Sequence, residues 1–449
     1  MNKVAITAWM GMTVRNILFS PVIKNLINNF KVDIYTTFQD QIIKYKGLSE
    51  NEINYPDIHF PKRNTVISNI LYQWNYHALW QKHQPATAEK YISREKSSKP
   101  LMYLFNHYGG QFVNMVRKNK ERDWLRDIAY EIPLNRTLEP VDALLISSTD
   151  TIKDQILMYS YKKLGIPVVA LVHSWDNLPA RGLLSVLPDR MLVWNEYMVN
   201  DAVKYHNMPE EKIDVVGVPQ FEMYRSKQKS IDINSYRESM NIPDDTVIIT
   251  YTASAERVFP DEPLFIEALL KNVIGGSFGN AILILRLQES VRTSLYRSLY
   301  ENTDLPIRLD IPDVGFAANT ISGTINIRGI DNFISLIKAS DVVINLASTI
   351  TLDAVLFDKP VICPKFNMSI PSNDWNAAHR WYSSSHFIHI TESGAVSMPE
   401  NMHALVMDVQ GYLENPALKS KERQQLREKM IPELPTGELI TEAIKKAIN

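Results

Sequence analysis

The stretch at 173–182, HSWDNLPARG, sets a histidine, a tryptophan, an aspartate, an asparagine and an arginine directly after the apolar run PVVALV. Proton transfer is the first chemistry such a group suggests. Asp176, His173 and Asp150 (in SSTD, 147–150) are candidate general bases, in that order of preference, since each can take a proton or orient the group that does. Arg181 can grip an anion through its planar fork, Trp175 can exclude water or stack on a ligand, and Asn177 stands between them. The competing reading makes Asp176 or Asn177 a plain helix cap and Trp175 a core residue.

A second constellation lies at 341–362, DVVINLASTITLDAVLFDKPVI. Ser348 and Thr349 fall where a strand gives way to a helix. Backbone N–H groups, two hydroxyls and the positive end of the helix dipole make that place an anion site, of the kind that holds a diphosphate. Asp353 follows Thr349 by about one helical turn on the same face, where a carboxylate can accept both hydroxyls of a ribose. The competing reading is an ordinary cap followed by a solvent-facing aspartate.

Both constellations depend on the strands that precede them. Strand candidates run over 3–9, 32–37, 142–148, 167–172, 190–195 and 214–218, then 246–252, 281–287, 324–327, 341–347, 360–363 and 386–390. Most are continuous apolar runs, the mark of strands buried on both faces, and segments of helical period separate them. That order predicts an α/β protein with parallel sheets and right-handed crossovers. With 449 residues, one core is too few. The polar segment 225–245 reads as a linker between two doubly wound Rossmann-like domains facing a cleft, with ligands at the carboxyl ends of the strands.

Composition narrows the function classes. A net charge of −2 gives no pull toward nucleic acid. The single cysteine, Cys363, excludes a disulfide framework and suits a reducing compartment. No run of about 18 apolar residues occurs, and the first residues lack a secretory pattern, so the expected location is cytoplasmic. No two histidines stand at H-x-x-x-H spacing, and His379, His386 and His389 are the closest group, so neither a metal nor a cofactor is expected. The segment 62–126 differs from the rest: twelve Lys/Arg against four Asp/Glu give it +8. It contains LYQWNYHALWQKH, which reads either as a helix with a core-facing aromatic stripe or as part of a docking face for an anionic membrane or a lipid-diphosphate-linked acceptor. The second reading adds a peripheral position at the inner membrane face.

The pattern at 341–362, of a strand, small hydroxyl residues, a helix with an acidic residue and then Lys-Pro-Val-Ile, is similar to the nucleotide-sugar site of GT-B glycosyltransferases. The chain resembles that superfamily over most of its length, best in 167–220 and 328–366. In the family an acidic residue seven positions before the proline binds the donor ribose, and Asp353 stands seven before Pro360, an Asp where many members carry Glu. By the same resemblance, NIRGIDNFISLIKASD (326–341) is the base-binding loop and following helix, with Arg328, Gly329 and Ile330 at the nucleobase edge. Ser254 and Arg257, in YTASAERVFPDE (251–262), and Arg286, after AILILRL, fall where members meet the phosphates. Gln288 replaces a histidine there.

The resemblance implies an acceptor-side domain at 1–225, with the basic helical insertion near 62–126. It implies a nucleotide-sugar-binding domain at 243–449, whose last helix packs back on the first domain. The end of the first domain is Val-Gly-x-Pro, with Gly217 and Pro219 at the bend. The first loop, MGMTVRN (10–16), would present Gly11, Thr13, Arg15 and Asn16 to the acceptor. The implied activity is metal-independent transfer of a sugar from a nucleotide-sugar to a saccharide or lipid-linked acceptor, in bacterial O-antigen or capsule synthesis. The rivals are a non-hydrolysing sugar-nucleotide 2-epimerase, a CDP-alditol phosphotransferase of the same fold, and an inactive scaffold. Inverting transfer would need the base, whereas retaining transfer would not.

Overall fold

A computed structural model describes residues 1–46, 48, 53–58, 60, 62–117, 124–131, 138–254, 258–287, 296, 304–312, 314–315, 324–325 and 327–449. The chain divides into two compact units, 1–223 with 432–449 and 224–431.

The first unit is built on six parallel strands: β1 (Lys3–Ala8), β2 (Lys31–Thr36), β3 (Ala143–Ile146), β4 (Val168–Leu171), β5 (Arg190–Val193) and β6 (Ile213–Val215). Their order is β2-β1-β3-β4-β5-β6, so the winding reverses between β1 and β3. β3 and β4 are buried at every residue, which is why they read as unbroken apolar runs. Gly217 takes φ +78°, and a Cβ there would come within 3.0 Å of Thr436, so the Val-Gly-x-Pro bend admits only glycine comfortably. Helix Thr436–Ile448 belongs to this unit, with Gly437 N donating to Glu222 Oε2 at 3.2 Å.

Helices Lys62–His83, Ala86–Ser98, Pro100–Arg117 and Trp124–Tyr130 lie between β2 and β3. The LYQWNYHALWQKH stretch sits on the first of them, and Leu71, Ala78 and Leu79 join the core formed with Leu144, Ile146 and Val168. Of its aromatics, Tyr72, Trp74, Tyr76 and Trp80 are half-buried, and Trp74 packs against that core.

The second unit carries a five-stranded parallel sheet of β7 (Val247–Thr252), β8 (Ala281–Arg286), β9 (Ile307–Asp310), β12 (Val342–Asn345) and β13 (Val361–Ile362). The order is β13-β12-β7-β8-β9, with its reversal between β7 and β12. A two-residue antiparallel ribbon, β10 (Val314–Gly315) with β11 (Thr324–Ile325), stands outside it. Three expectations need correcting. Of the run at 324–327, Thr324 and Ile325 pair in that ribbon, and Ile327 opens helix Ile327–Ala339. HFIHI is no strand: helix Ile388–Thr391 follows a tight turn, and Phe387 and Ile390, three apart, bury the same face of that turn. The unforeseen β9 is an edge strand with two half-buried residues, too short and mixed to stand out. The segment read as a linker is also structured. Asp232 caps helix Ile233–Ser239, and Tyr236 and Ile242 pack against Ile248, Ile282 and Leu336. The second unit thus begins at Tyr224.

Among the described residues, no helix is long and apolar enough to cross a membrane.

Candidate functional site

In the first unit the polar residues gather at the switch point, around the loops after β1, β3 and β4. After β3, Ser148 Oγ donates to Asp150 Oδ1 and shapes the turn into helix Ile152–Lys163. After β4, His173 is buried and its Nδ1 lies 3.6 Å from Asp150 Oδ1 and 3.4 Å from Asn177 Nδ2. Arg181 Nε lies 3.5 Å from Asp150 Oδ2, and its side chain is half exposed. Asp176 begins the short helix Asn177–Ala180 without a side-chain capping bond, and its Oδ1 accepts from Ser174 Oγ at 2.5 Å. Trp175 is buried.

Burial is the largest influence on His173 and depresses its pKa. Asp150 and Asp176 pull it upward, and Arg181 and Arg15 push it further down. The imidazole is therefore neutral at neutral pH and able to accept a proton.

After β1, Gly11 and Thr13 are buried in helix Gly11–Leu18. The Thr13 hydroxyl is used locally: it donates to Met10 O at 2.9 Å and accepts from Met10 N at 3.3 Å. Arg15 donates to Asn16 Oδ1 at 3.2 Å and to Gln220 Oε1 at 2.5 Å. A cavity of about 200 Å³ opens near the ends of β1 and β2, lined by Trp9, Thr36, Gln39, Tyr55, Asp57, Phe60 and Lys153. Lys153 Nζ lies 4.7 Å above the Trp9 ring and 5.7 Å from Phe60, a cation–π arrangement.

Two participants escaped the sequence reading. Tyr72, on helix Lys62–His83, lies within electrostatic reach of Arg181 and Asp150, so the insertion borders the cluster. The insertion is also tied down beside it, with Leu183 N donating to Asn75 O at 3.1 Å and Asn75 Nδ2 to Ser185 Oγ at 2.7 Å. Asp154 is wholly buried beside the cluster, and burial pushes its carboxyl up to about 7 against the hydrogen bond from the Thr151 hydroxyl. No motif marks Tyr72; Asp154 carries only the signal of a carboxylate after a Thr cap.

In the second unit the loops after β7 and β12 flank the reversal. Glu262, unremarked in the sequence, organises the first. This buried carboxylate accepts from Ser254 N at 2.8 Å, Ser254 Oγ at 2.9 Å and Tyr251 OH at 3.0 Å through Oε1, and from Tyr296 OH at 2.9 Å through Oε2. Ser254 thus has both donors committed inside the protein. Arg257 lies outside the described residues, as does the Arg328 side chain. Gly329 and Ile330 are buried in the first turn of helix Ile327–Ala339.

After β12, Asn345 Oδ1 accepts from Ser348 N at 3.1 Å and Thr351 Oγ1 at 3.0 Å, and Ser348 Oγ accepts from Ile350 N at 3.3 Å. Between them Ala347 takes φ +43°, a left-handed conformation that costs a residue with a Cβ roughly 1–2 kcal/mol. Thr349 precedes helix Ile350–Leu356, in which Asp353 is 3% exposed. Asp353 is therefore neither solvent-facing nor on an exposed start, because this two-turn helix buries Thr351 through Leu356. Arg286 is also differently placed than expected. Its Nη1 donates to both oxygens of Asp310, at 2.9 and 3.0 Å, and its guanidinium lies over the Phe333 ring. A phosphate would have to compete with that ion pair.

His379 stands in the turn Ala378–Trp381 and His389 in helix Ile388–Thr391. Among the described residues, no three His, Cys, Asp or Glu are grouped to hold a metal ion.

No protein-family model matches the chain, and no curated protein matches it in sequence. Solved structures do. The chain is similar to the UDP-GlcNAc 2-epimerase of Neisseria meningitidis bound to UDP-GlcNAc, with TM-score 0.56 and 14% identity over 99% of this chain and 100% of that one. It is similar to the S. aureus MnaA–UDP co-structure, with TM-score 0.56 and 12% identity over 99% and 96%. A glycosyltransferase from Rickettsia africae ESF-5 matches with TM-score 0.51 and 12% identity over 100% and 99%.

Proposed function

From the GT-B fold that these structures share with the chain, we propose a nucleotide-sugar-dependent glycosyltransferase. The first unit takes a saccharide or lipid-linked saccharide acceptor and the second takes the nucleotide. The observation that carries the reading is the pairing of a buried, neutral His173 with Asp150 at a switch point that also holds Arg181. A neutral imidazole accepts the acceptor hydroxyl's proton, and the adjacent carboxylate stabilises the imidazolium that results. In this reading His173 is the base and Asp150 orients it. Asp176, 2.5 Å from Ser174 Oγ, shapes the field around them. Arg181 and Arg15 offer fixed positive charge to an anionic group. The small aromatic cavity by Trp9 suits one ring of the acceptor. In the second unit, Asp353, Ser348 and Thr349 and the first turn of helix Ile327–Ala339 are the nucleotide-holding residues of this reading. Bacterial surface-polysaccharide assembly is the setting it implies.

Titration calorimetry with UDP, TDP, GDP, CDP and CMP tests the reading, with UDP first because two of the similar structures were solved with UDP or UDP-GlcNAc. Binding of a nucleoside diphosphate should weaken in Asp353→Asn, with the melting temperature held; absence of binding by all five would leave a scaffold. NMR of a UDP-sugar incubated with the protein then separates the enzyme classes. Conversion of the sugar without acceptor would establish the 2-epimerase instead.

A further inference from the structure

Helix Pro100–Arg117 buries little of its apolar surface. Its inward face carries Asn106, Gly109, Gly110 and Asn114 beside the buried Val113. A Cβ at Gly110 would stand 2.8 Å from His77 Cβ, and one at Gly109 would fall inside the Trp74 indole, so the helix lies directly on helix Lys62–His83. Asn106 donates to Glu95 Oε1 at 2.8 Å and Asn114 to Ala78 O at 3.1 Å on the same side. Five large residues point outward: Leu101 is 81% exposed, Leu104 46%, Phe105 50%, Tyr108 63% and Met115 60%. Their spacing of three, four and seven residues makes them one continuous stripe along the helix. A contiguous apolar stripe left in water marks a surface that something covers.

The charge around the stripe identifies what covers it. Lys96 and Lys99 are exposed immediately before the helix, and the segment 62–126 carries +8 in a chain of −2. An apolar helix face with basic residues at its edge matches the interface of an anionic bilayer, where side chains enter the acyl boundary and lysines meet phosphates. A second copy of this chain would meet the stripe with the same positive charge, which opposes that pairing. We propose that helix Pro100–Arg117 lies in the surface of an anionic membrane with Leu101, Leu104 and Tyr108 as its inserted residues. The docking element is this helix, and the LYQWNYHALWQKH helix beneath it is its support. The inference does not depend on the nucleotide-site reading, because it concerns an exposed face of the insertion alone.

Flotation of the full chain with vesicles tests it. The chain should float with phosphatidylcholine–phosphatidylglycerol vesicles and not with phosphatidylcholine alone, and salt should weaken the binding. The triple variant Leu101→Ser, Leu104→Ser, Tyr108→Ser should keep its melting temperature, since these side chains are exposed, and lose about tenfold or more in vesicle affinity. Lys96→Glu with Lys99→Glu should weaken binding to anionic vesicles as well. Unchanged flotation of the triple variant would overturn the proposal. So would a concentration-dependent dimer in light scattering that the triple variant abolishes, which would assign the stripe to a second copy.

Discussion

Asp150 faces His173 with one carboxylate oxygen, at 3.6 Å from Nδ1, while its other oxygen faces Arg181 Nε at 3.5 Å. The pair joins the end of β3 to the end of β4. His173→Gln should cut turnover by roughly 10²–10⁴-fold, the usual worth of acid–base assistance, with nucleotide affinity retained. Because burial depresses the His173 pKa, the acid limb of kcat/KM should lie below the ordinary histidine value of about 6.5. Asp150→Asn removes the largest influence that raises it, so the limb should move to still lower pH. A limb that stays in place would make Asp150 architectural.

The same shift has a stability consequence. A histidine whose folded pKa is depressed binds fewer protons folded than unfolded, so its contribution is present above the ordinary pKa and is lost as pH falls through the window below it. Thermal melts of the parent and His173→Gln should therefore converge on acidification below about pH 6.5.

Asp176 and His173 compete for the base role, and substitution ranks them. Asp176→Asn keeps shape and should cost less turnover than His173→Gln. The reverse order would make Asp176 the base, with His173 its neighbour. A lowered melting temperature with near-normal turnover would make the loop purely structural.

Asp154 has a folded pKa of about 7, well above that of an unfolded aspartate. Its sign is opposite to that of His173: stability is fully present below the unfolded pKa and is lost as pH rises toward the folded one. Asp154→Asn should therefore flatten the loss of stability between about pH 4 and 7. Parallel melting curves for parent and variant across that range would contradict a protonated Asp154.

Arg286 and Asp310 form an ion pair in which each side chain is about one-tenth exposed. Arg286→Ala leaves the Asp310 carboxylate without its partner and should destabilise the protein by about 3–5 kcal/mol, measured by urea unfolding. Asp310→Asn should also destabilise. Equal stability with a selective loss of diphosphate over nucleoside binding would return Arg286 to the phosphate site.

The strand runs at 142–148, 167–172 and 341–347 were legible because a parallel strand buried on both faces must be apolar throughout, and that property is written into consecutive residues. Strand-end loops follow from the same runs, and His173, Asp150 and Asp176 stand in those loops. What escaped depends on who meets whom. Nothing local says that Tyr72 reaches Arg181, that Glu262 gathers Tyr251, Ser254 and Tyr296, or that Arg286 is already held by Asp310; these are contacts between distant segments. Burial escaped for the same reason. Asp353 has the spacing of an exposed helical residue, and the elements packed around its two-turn helix decide otherwise. Helix Pro100–Arg117 shows the converse: periodicity fixes an apolar stripe but not its direction, and two glycines fitted against Trp74 and His77 turn that stripe outward.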